Sequence, residues 1–238
     1  MHTSQQTALV VGVGPGLGFA VARTLAARGM RVALASRNAE RLDALVDELC
    51  GEDRIVRAYG CDATDEISVK KVMSLLVKDF AVPDLVVYSA QGFGRGRAID
   101  VEVAAFEECW RQNCLGAFIV AREAERRMAP LGRGSIVLIG STSSLIGRSD
   151  HLNLAVGKFG LRAVAQVMAR ELGPSGIHVV HLIIDADIRE GASAELNLPQ
   201  AYPEHIADLI YNLHGQPKST WTSELDIRPY NEAFWQHC

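Results

Sequence analysis

Short apolar, β-branched runs alternate with longer helical patterns along the chain, and this alternation constrains the fold more than any single motif. Residues 7–13, 31–35, 54–59, 84–89, 135–140 and 178–184 read as buried strands, each a brief apolar run. Between them, residues 17–28, 39–49, 65–80, 103–128 and 152–172 read as helices. Strands and helices in strict alternation call for right-handed crossovers, hence a parallel sheet with helices on both faces. The expectation is a doubly wound α/β fold of three layers, α/β/α, closed by a short strand at 224–227. The 238 residues show no repeat, long linker or compositional break, so the chain reads as one domain. Residues 186–203, with Gly191, Pro199 and Pro203, are the least regular stretch and suit a flap over a pocket.

Charge and composition narrow the classes of partner. A net charge of -4 gives no basic footprint for nucleic acid or an anionic membrane. No apolar run approaches the roughly 20 residues that span a bilayer. The polar stretch at residues 1–7 runs straight into a strand and does not read as a signal peptide. Cys50, Cys61, Cys109, Cys114 and Cys238 are odd in number and lack metal spacing. They read as reduced thiols of a cytoplasmic protein without a metal site.

The first strand ends in Val11-Gly12-Val13-Gly14-Pro15-Gly16-Leu17-Gly18, and a helix follows at once. Glycines let the backbone turn tightly and approach a pyrophosphate, while a helix N-terminus offers free N–H groups and partial positive charge. The spacing G-x-G-x-x-G fails, because its third glycine falls on Leu17; Gly12-x-x-x-Gly16-x-Gly18 fits instead. With this spacing the chain resembles the short-chain dehydrogenases/reductases, which share the Rossmann fold. Further motifs follow in the family's order. Cys61-Asp62-Ala63 resembles its adenine-contacting segment, and Tyr88-Ser89-Ala90-Gln91-Gly92 its Asn-Asn-Ala-Gly segment, with only Ala90 a clean match. Asn113 matches its helix-four asparagine, Ser141 its catalytic serine, and Lys158, seventeen residues later, its catalytic lysine.

After the second strand the chain reads Ala35-Ser36-Arg37, with no acidic residue to hold a ribose 2′-hydroxyl. Arg37 offers a planar fork for a 2′-phosphate, and Ser-Arg resembles the family's NADPH-preferring form. NADP(H) is therefore expected over NAD(H). Pro15 departs from this, standing where many NADPH users carry a second basic residue.

The resemblance implies roles by position. Ser141 would hold the carbonyl oxygen, Lys158 the ribose hydroxyls, and Asn113 a water leading to solvent. Gly12, Gly16, Leu17, Gly18, Ser36, Arg37, Asp62, Ala63, Ala90, Asn113 and Lys158 would bind the cofactor. The family's Tyr-x-x-x-Lys is broken, because Leu154 stands in the tyrosine's place. Losing a positioned general acid costs about 10²–10⁴ in rate. Three replacements are conceivable: a water on Lys158, Asp150 or His151 at the start of the helix, or the substrate's own acid. His151 also reads as a surface or capping residue.

A second departure follows strand six, where Ile184-Asp185-Ala186-Asp187 replaces the family's Pro-Gly. Asp185 and Asp187 read either as a carboxylate pair that splits acid and base roles or as a turn cap and a solvated side chain. His178 and His181, at odd spacing on a strand, face opposite sides and cannot share a metal. Arg95, Arg97 and Arg148 lie in loops that should border the pocket, where they would hold an anionic substrate or face solvent.

Three functions are open. The first is an NADP(H)-dependent oxidoreductase acting on a carbonyl, an alcohol or a related small molecule. The second is a regulatory protein that binds NADPH without turnover, and the third a non-redox lyase or isomerase. Related proteins pair their fourth and fifth helices, so a homodimer or homotetramer is expected. The tail from Glu224 to Tyr230, with Phe234 and Trp235, reads as docking on the core or a neighbouring subunit.

Overall fold

The computed structural model describes residues 5–50, 54–188 and 200–232. A seven-stranded sheet lies at its centre, in the order β3-β2-β1-β4-β5-β6-β9. The strands are β1 (Thr7–Val11), β2 (Arg31–Ser36), β3 (Val56–Gly60), β4 (Leu85–Tyr88), β5 (Gly134–Ile139), β6 (Ile177–Ile184) and β9 (Glu224–Ile227). Every adjacent pair is parallel. Two short strands, β7 (Asp187–Ile188) and β8 (Gln200–Ala201), pair apart from the sheet.

Seven helices connect and cover the strands: α1 (Leu17–Ala27), α2 (Glu40–Leu49), α3 (Glu66–Asp79), α4 (Val103–Trp110), α5 (Gly116–Met128), α6 (Leu152–Leu172) and α7 (Pro203–His214). Alternation along the strands divides the core in two. Leu9, Val11, Ala33 and Ala35 pack on the side of α3, α5 and α6. Ala8, Val10, Val32 and Leu34 pack on the side of α1, α2 and α7. Both faces are buried, which is why the strands read as continuous apolar runs.

The chain reverses direction across the sheet between β1 and β4, opening a crevice at their carboxyl ends, where doubly wound proteins place ligands. β1 stops at Val11, short of the expected residue 13, because Gly12 takes a φ of 91°.

One other expectation needs correction, one element was not foreseen, and two expectations fall on residues that are not described. The helix expected over 103–128 is interrupted by a π turn at Arg111–Leu115. The helix α7 was not expected; Pro203 opens it and Ile206, Ile210 and Leu213 form its buried stripe. Most of the expected flap (189–199) and the tail residues Phe234 and Trp235 lie outside the described residues. Among the described residues no helix is long and apolar enough to cross a membrane.

Candidate active site

A cavity of about 300 Å³ opens at the carboxyl ends of the first four strands, bordered by Gly12, Ser36, Arg37, Asp62, Ala63 and Ala90. Three of the loop glycines have distinct tasks there. A Cβ on Gly12 would stand 2.2 Å from the Ala90 nitrogen, so only glycine lets β1 and β4 approach at the crevice. A Cβ on Gly18 would lie 2.8 Å from the Gly12 carbonyl oxygen, so glycine seats α1 against the turn. At Gly16 a Cβ would meet nothing within 4 Å, which leaves open space at the helix start. Gly16 is the N-cap of α1 and provides no side-chain cap, so first-turn N–H groups remain available to an anion. Leu17 turns its side chain into the core, leaving only its main chain to a ligand.

Around the adenosine end of the crevice the side chains are partly committed. Asp62 accepts from the Thr64 nitrogen at 2.9 Å and from the Thr64 hydroxyl at 2.8 Å, fixing the turn after β3. The Ser36 hydroxyl donates to the Asn38 carbonyl at 3.0 Å. Arg37 is largely exposed at the rim, 3.8 Å from the Glu108 carboxylate. An open glycine turn and an uncapped helix start fit the diphosphate of a dinucleotide.

Ser141, Lys158 and Asn113 lie outside this cavity, further along the carboxyl edge of the sheet. The Lys158 side chain is buried, and its Nζ donates to the Ile139 carbonyl at 2.8 Å. Burial lowers its pKa to about 8, partly opposed by the nearby Cys109 thiol. Ser141 follows β5 directly, and its Oγ is buried without a partner among the described residues. Asn113 sits inside the π turn, where its Nδ2 donates to the Gly92 carbonyl at 2.8 Å and the Cys109 carbonyl at 2.9 Å. Its Oδ1 has no partner among the described residues. Such π turns concentrate at functional sites.

Tyr88 explains one departure from the family's segment. Its hydroxyl donates to the Gln112 carbonyl inside the π turn. A Cβ on Gly116 would stand 2.4 Å from that hydroxyl, so glycine makes room for the ring. Burial pushes the phenol well above its ordinary pKa. Tyr88 therefore braces the turn and does not replace the missing acid.

Leu154 stands on α6 one turn before Lys158 and is buried. His151 makes no side-chain cap for this helix; its Nδ1 lies 2.7 Å from the Ser149 carbonyl. Asp150 is exposed and takes a φ of 62°. Arg97 and Arg148 border a second cavity of about 430 Å³ with Asp150 and Ala155, while Arg95 lies over the Phe93 ring.

Of the two carboxylates after β6, Asp187 lies on the short strand β7, half-buried. Asp185 is buried, accepts from the Thr142 hydroxyl and is bridged by Arg228 at 2.7 Å. Arg228 was not singled out in the sequence, because only folding brings residues 185 and 228 together. The two histidines of β6 face opposite sides. His178 stacks on Trp221 with ring centroids 4.8 Å apart, whereas His181 reaches Glu224 at 3.0 Å. The sequence reading weighed His181 only as a metal ligand; the overlooked signal was a polar side chain inside an eight-residue, wholly buried strand.

The short chain dehydrogenase family model matches residues 6–188. The chain belongs to this family. D-threitol dehydrogenase of Mycolicibacterium smegmatis is 30% identical over 174 residues, 73% of this chain and 67% of the relative. Sorbitol-6-phosphate 2-dehydrogenase of Escherichia coli is 31% identical over 199 residues, covering 82% and 76% respectively. A short-chain dehydrogenase structure from Rhodopseudomonas palustris matches with a TM-score of 0.82 and 34% identity, over 94% of this chain and 99% of the other. The family and these relatives place the chain among oxidoreductases.

Proposed function

We propose that the chain is an NADP(H)-dependent oxidoreductase that interconverts an alcohol and a carbonyl without the family's tyrosine. The observation that carries this reading is the retention of Ser141, Lys158 and Asn113 around the end of β5 and the π turn, beside a complete phosphate loop. Gly12, Gly16, Gly18 and the start of α1 hold the diphosphate, Arg37 the 2′-phosphate, and Asp62, Ala63 and Ala90 the adenosine end. When bound, the nicotinamide supplies or accepts the hydrogen and electron pair of the substrate carbon.

The chain's own groups handle the oxygen and its proton. Ser141 Oγ, buried and unpartnered, is free to donate to the substrate oxygen. Lys158, with a pKa of about 8, holds a proton at neutral pH and releases it readily. A water beside Leu154 carries that proton, because leucine neither donates nor accepts. Asn113 opens the path to solvent. The substrate is a small polyol or carbonyl compound, the class for which the two curated relatives are named.

Isothermal titration with NADPH and NADH, repeated on Arg37→Ala, tests the cofactor reading. NADPH binding that the substitution weakens, with NADH unaffected, supports it; binding of neither nucleotide overturns it. Leu154 favours a second reading, an NADPH-binding regulator, which nucleotide binding without turnover of any polyol would support.

We also infer assembly into a dimer or tetramer through α5 and α6. Phe118, Phe159 and Val167 stand 38%, 44% and 53% exposed on these helices, with Phe118 and Val167 bordering one shallow apolar cavity. Analytical ultracentrifugation tests this, and a monomer at micromolar concentration overturns it.

A further inference from the structure

All eight residues of β6 are buried, and His181 has no exposed surface. Its Nδ1 lies 3.0 Å from Glu224 Oε2 on the neighbouring strand β9. Glu224 is itself gripped through both oxygens by Arg162 of α6, at 2.8 and 2.7 Å. With the carboxylate taking the Nδ1 proton, Nε2 keeps its lone pair. That nitrogen is buried without a partner among the described residues. An unsatisfied buried nitrogen costs about 1–3 kcal/mol, so its retention needs a reason.

The direction in which Nε2 points supplies one. A Cβ on Gly140 would stand 2.3 Å from His181 Nε2 and 2.9 Å from Ser144 Oγ, so both groups converge over this glycine. The residue before it, Ile139, receives Lys158 Nζ on its carbonyl at 2.8 Å. The residue after it is Ser141, whose nitrogen donates to Ser144 Oγ at 3.2 Å. Ser144 therefore keeps its own hydroxyl proton to donate. Three residues at the end of β5 thus gather the Lys158 amine, the Ser144 hydroxyl, the unpartnered Ser141 hydroxyl and the unpartnered imidazole.

We propose that His181, oriented by Glu224, is the proton relay of this site and exchanges the reaction's proton with Lys158. The inference rests on the redox reading above and assigns the reservoir that the missing tyrosine leaves open. In alcohol oxidation the substrate O–H bond breaks as the carbon's hydrogen and electron pair pass to the oxidised dinucleotide. The proton goes to the neutral Lys158 amine through the water beside Leu154. It then passes to His181 Nε2, and the imidazolium forms against the Glu224 carboxylate. Carbonyl reduction runs the same transfers backwards. The charged groups facing the imidazole are Glu224 of β9 and Lys158 and Arg162 of α6, and Cys109 of α4 faces Lys158. A carboxylate that orients an imidazole and stabilises its protonated form is the arrangement of general-base dyads.

The test is histidine NMR on the full chain without nucleotide, which keeps it independent of turnover. His181 is assigned by the resonance lost in His181→Gln and titrated from about pH 5 to about pH 9. The expected result is a titration whose midpoint rises in Lys158→Met, which removes the facing cation, and falls in Glu224→Gln. A resonance that does not titrate, or a midpoint unmoved by Lys158→Met, overturns the proposal even if the protein binds NADPH. In turnover with D-threitol and NADP⁺, His181→Gln is expected to alter the pH profile of kcat/KM while leaving nucleotide affinity unchanged. Failure of nucleotide binding is read separately by calorimetry and strikes the redox reading itself.

Discussion

Gly157 and Asn113 are packed so closely that a Cβ on the glycine would stand 2.6 Å from the asparagine Cβ. This approach presses α6 against the π turn and fixes the asparagine whose amide bonds both Gly92 and Cys109. Gly157→Ala should therefore act as an overpacking substitution, destabilising the fold by about 1–3 kcal/mol despite alanine's better helix propensity. Urea denaturation checks this, and an unchanged or raised midpoint would show that the π turn yields freely.

Arg37 meets Glu108 at 3.8 Å across the rim of the adenosine cavity, with both side chains more than half exposed. Exposed pairs contribute no more than about 1 kcal/mol, so this one competes only mildly with a phosphate. Glu108→Gln should tighten NADPH binding by a few-fold at low salt, with the gain shrinking as salt is added. Calorimetry at two ionic strengths checks both parts, and an equal gain for NADH would remove Arg37 from the explanation.

The sheet was legible because both its faces are buried, so each strand wrote itself as an apolar run. The phosphate loop was legible because two of its glycines, Gly12 and Gly18, stand too close to neighbouring backbone for any other residue. What escaped the sequence depends on contacts between distant segments. The π turn has no local signature, since Tyr88 and Asn113 brace it from inside the fold. Asp185 and Asp187 suggested a pair by spacing, whereas Arg228, forty-three residues beyond Asp185, claims that carboxylate. The partner of His181 was illegible because spacing along one strand says nothing of Glu224 on the next.

Leu154 lies one turn before Lys158 on the buried face of α6. Leu154→Tyr should raise turnover with polyols or their carbonyl products by about 10²–10⁴, the usual contribution of a positioned acid. Leu154→Phe adds the same ring without the hydroxyl and takes the space of the water, so it should lower turnover. Equal rates for both variants would mean that the slot no longer faces the reacting oxygen.

Two buried histidines and a half-buried one should make the fold sensitive to mild acid. His178, His181 and His214 all have pKa values held below 6.5, in each case chiefly by desolvation. In the unfolded chain they take up protons as pH falls through 6.5, whereas the folded protein resists protonation. Stability is thus fully present above this value and is lost as pH drops toward the depressed folded values, at up to about 1.4 kcal/mol per pH unit for each proton. Urea midpoints measured across this range should fall on acidification. The His178→Gln variant should show a shallower decline; an identical slope would exclude His178 from the linkage.

Lys158 should cost stability in return for its chemistry. Its folded pKa of about 8 lies below the ordinary 10.5 because the ammonium is fully buried. The unfolded state therefore binds more protons between these values, and this group's contribution makes stability rise with pH across that window. At neutral pH the charged form is carried at a cost on the order of 3 kcal/mol, reduced by the bond to the Ile139 carbonyl. Lys158→Met keeps the volume and removes the charge, so it should stabilise the protein at pH 7 by about 1–2 kcal/mol while abolishing turnover. A destabilised Lys158→Met variant would show instead that the bond to Ile139 outweighs the buried charge, making this lysine a structural element of the sheet edge.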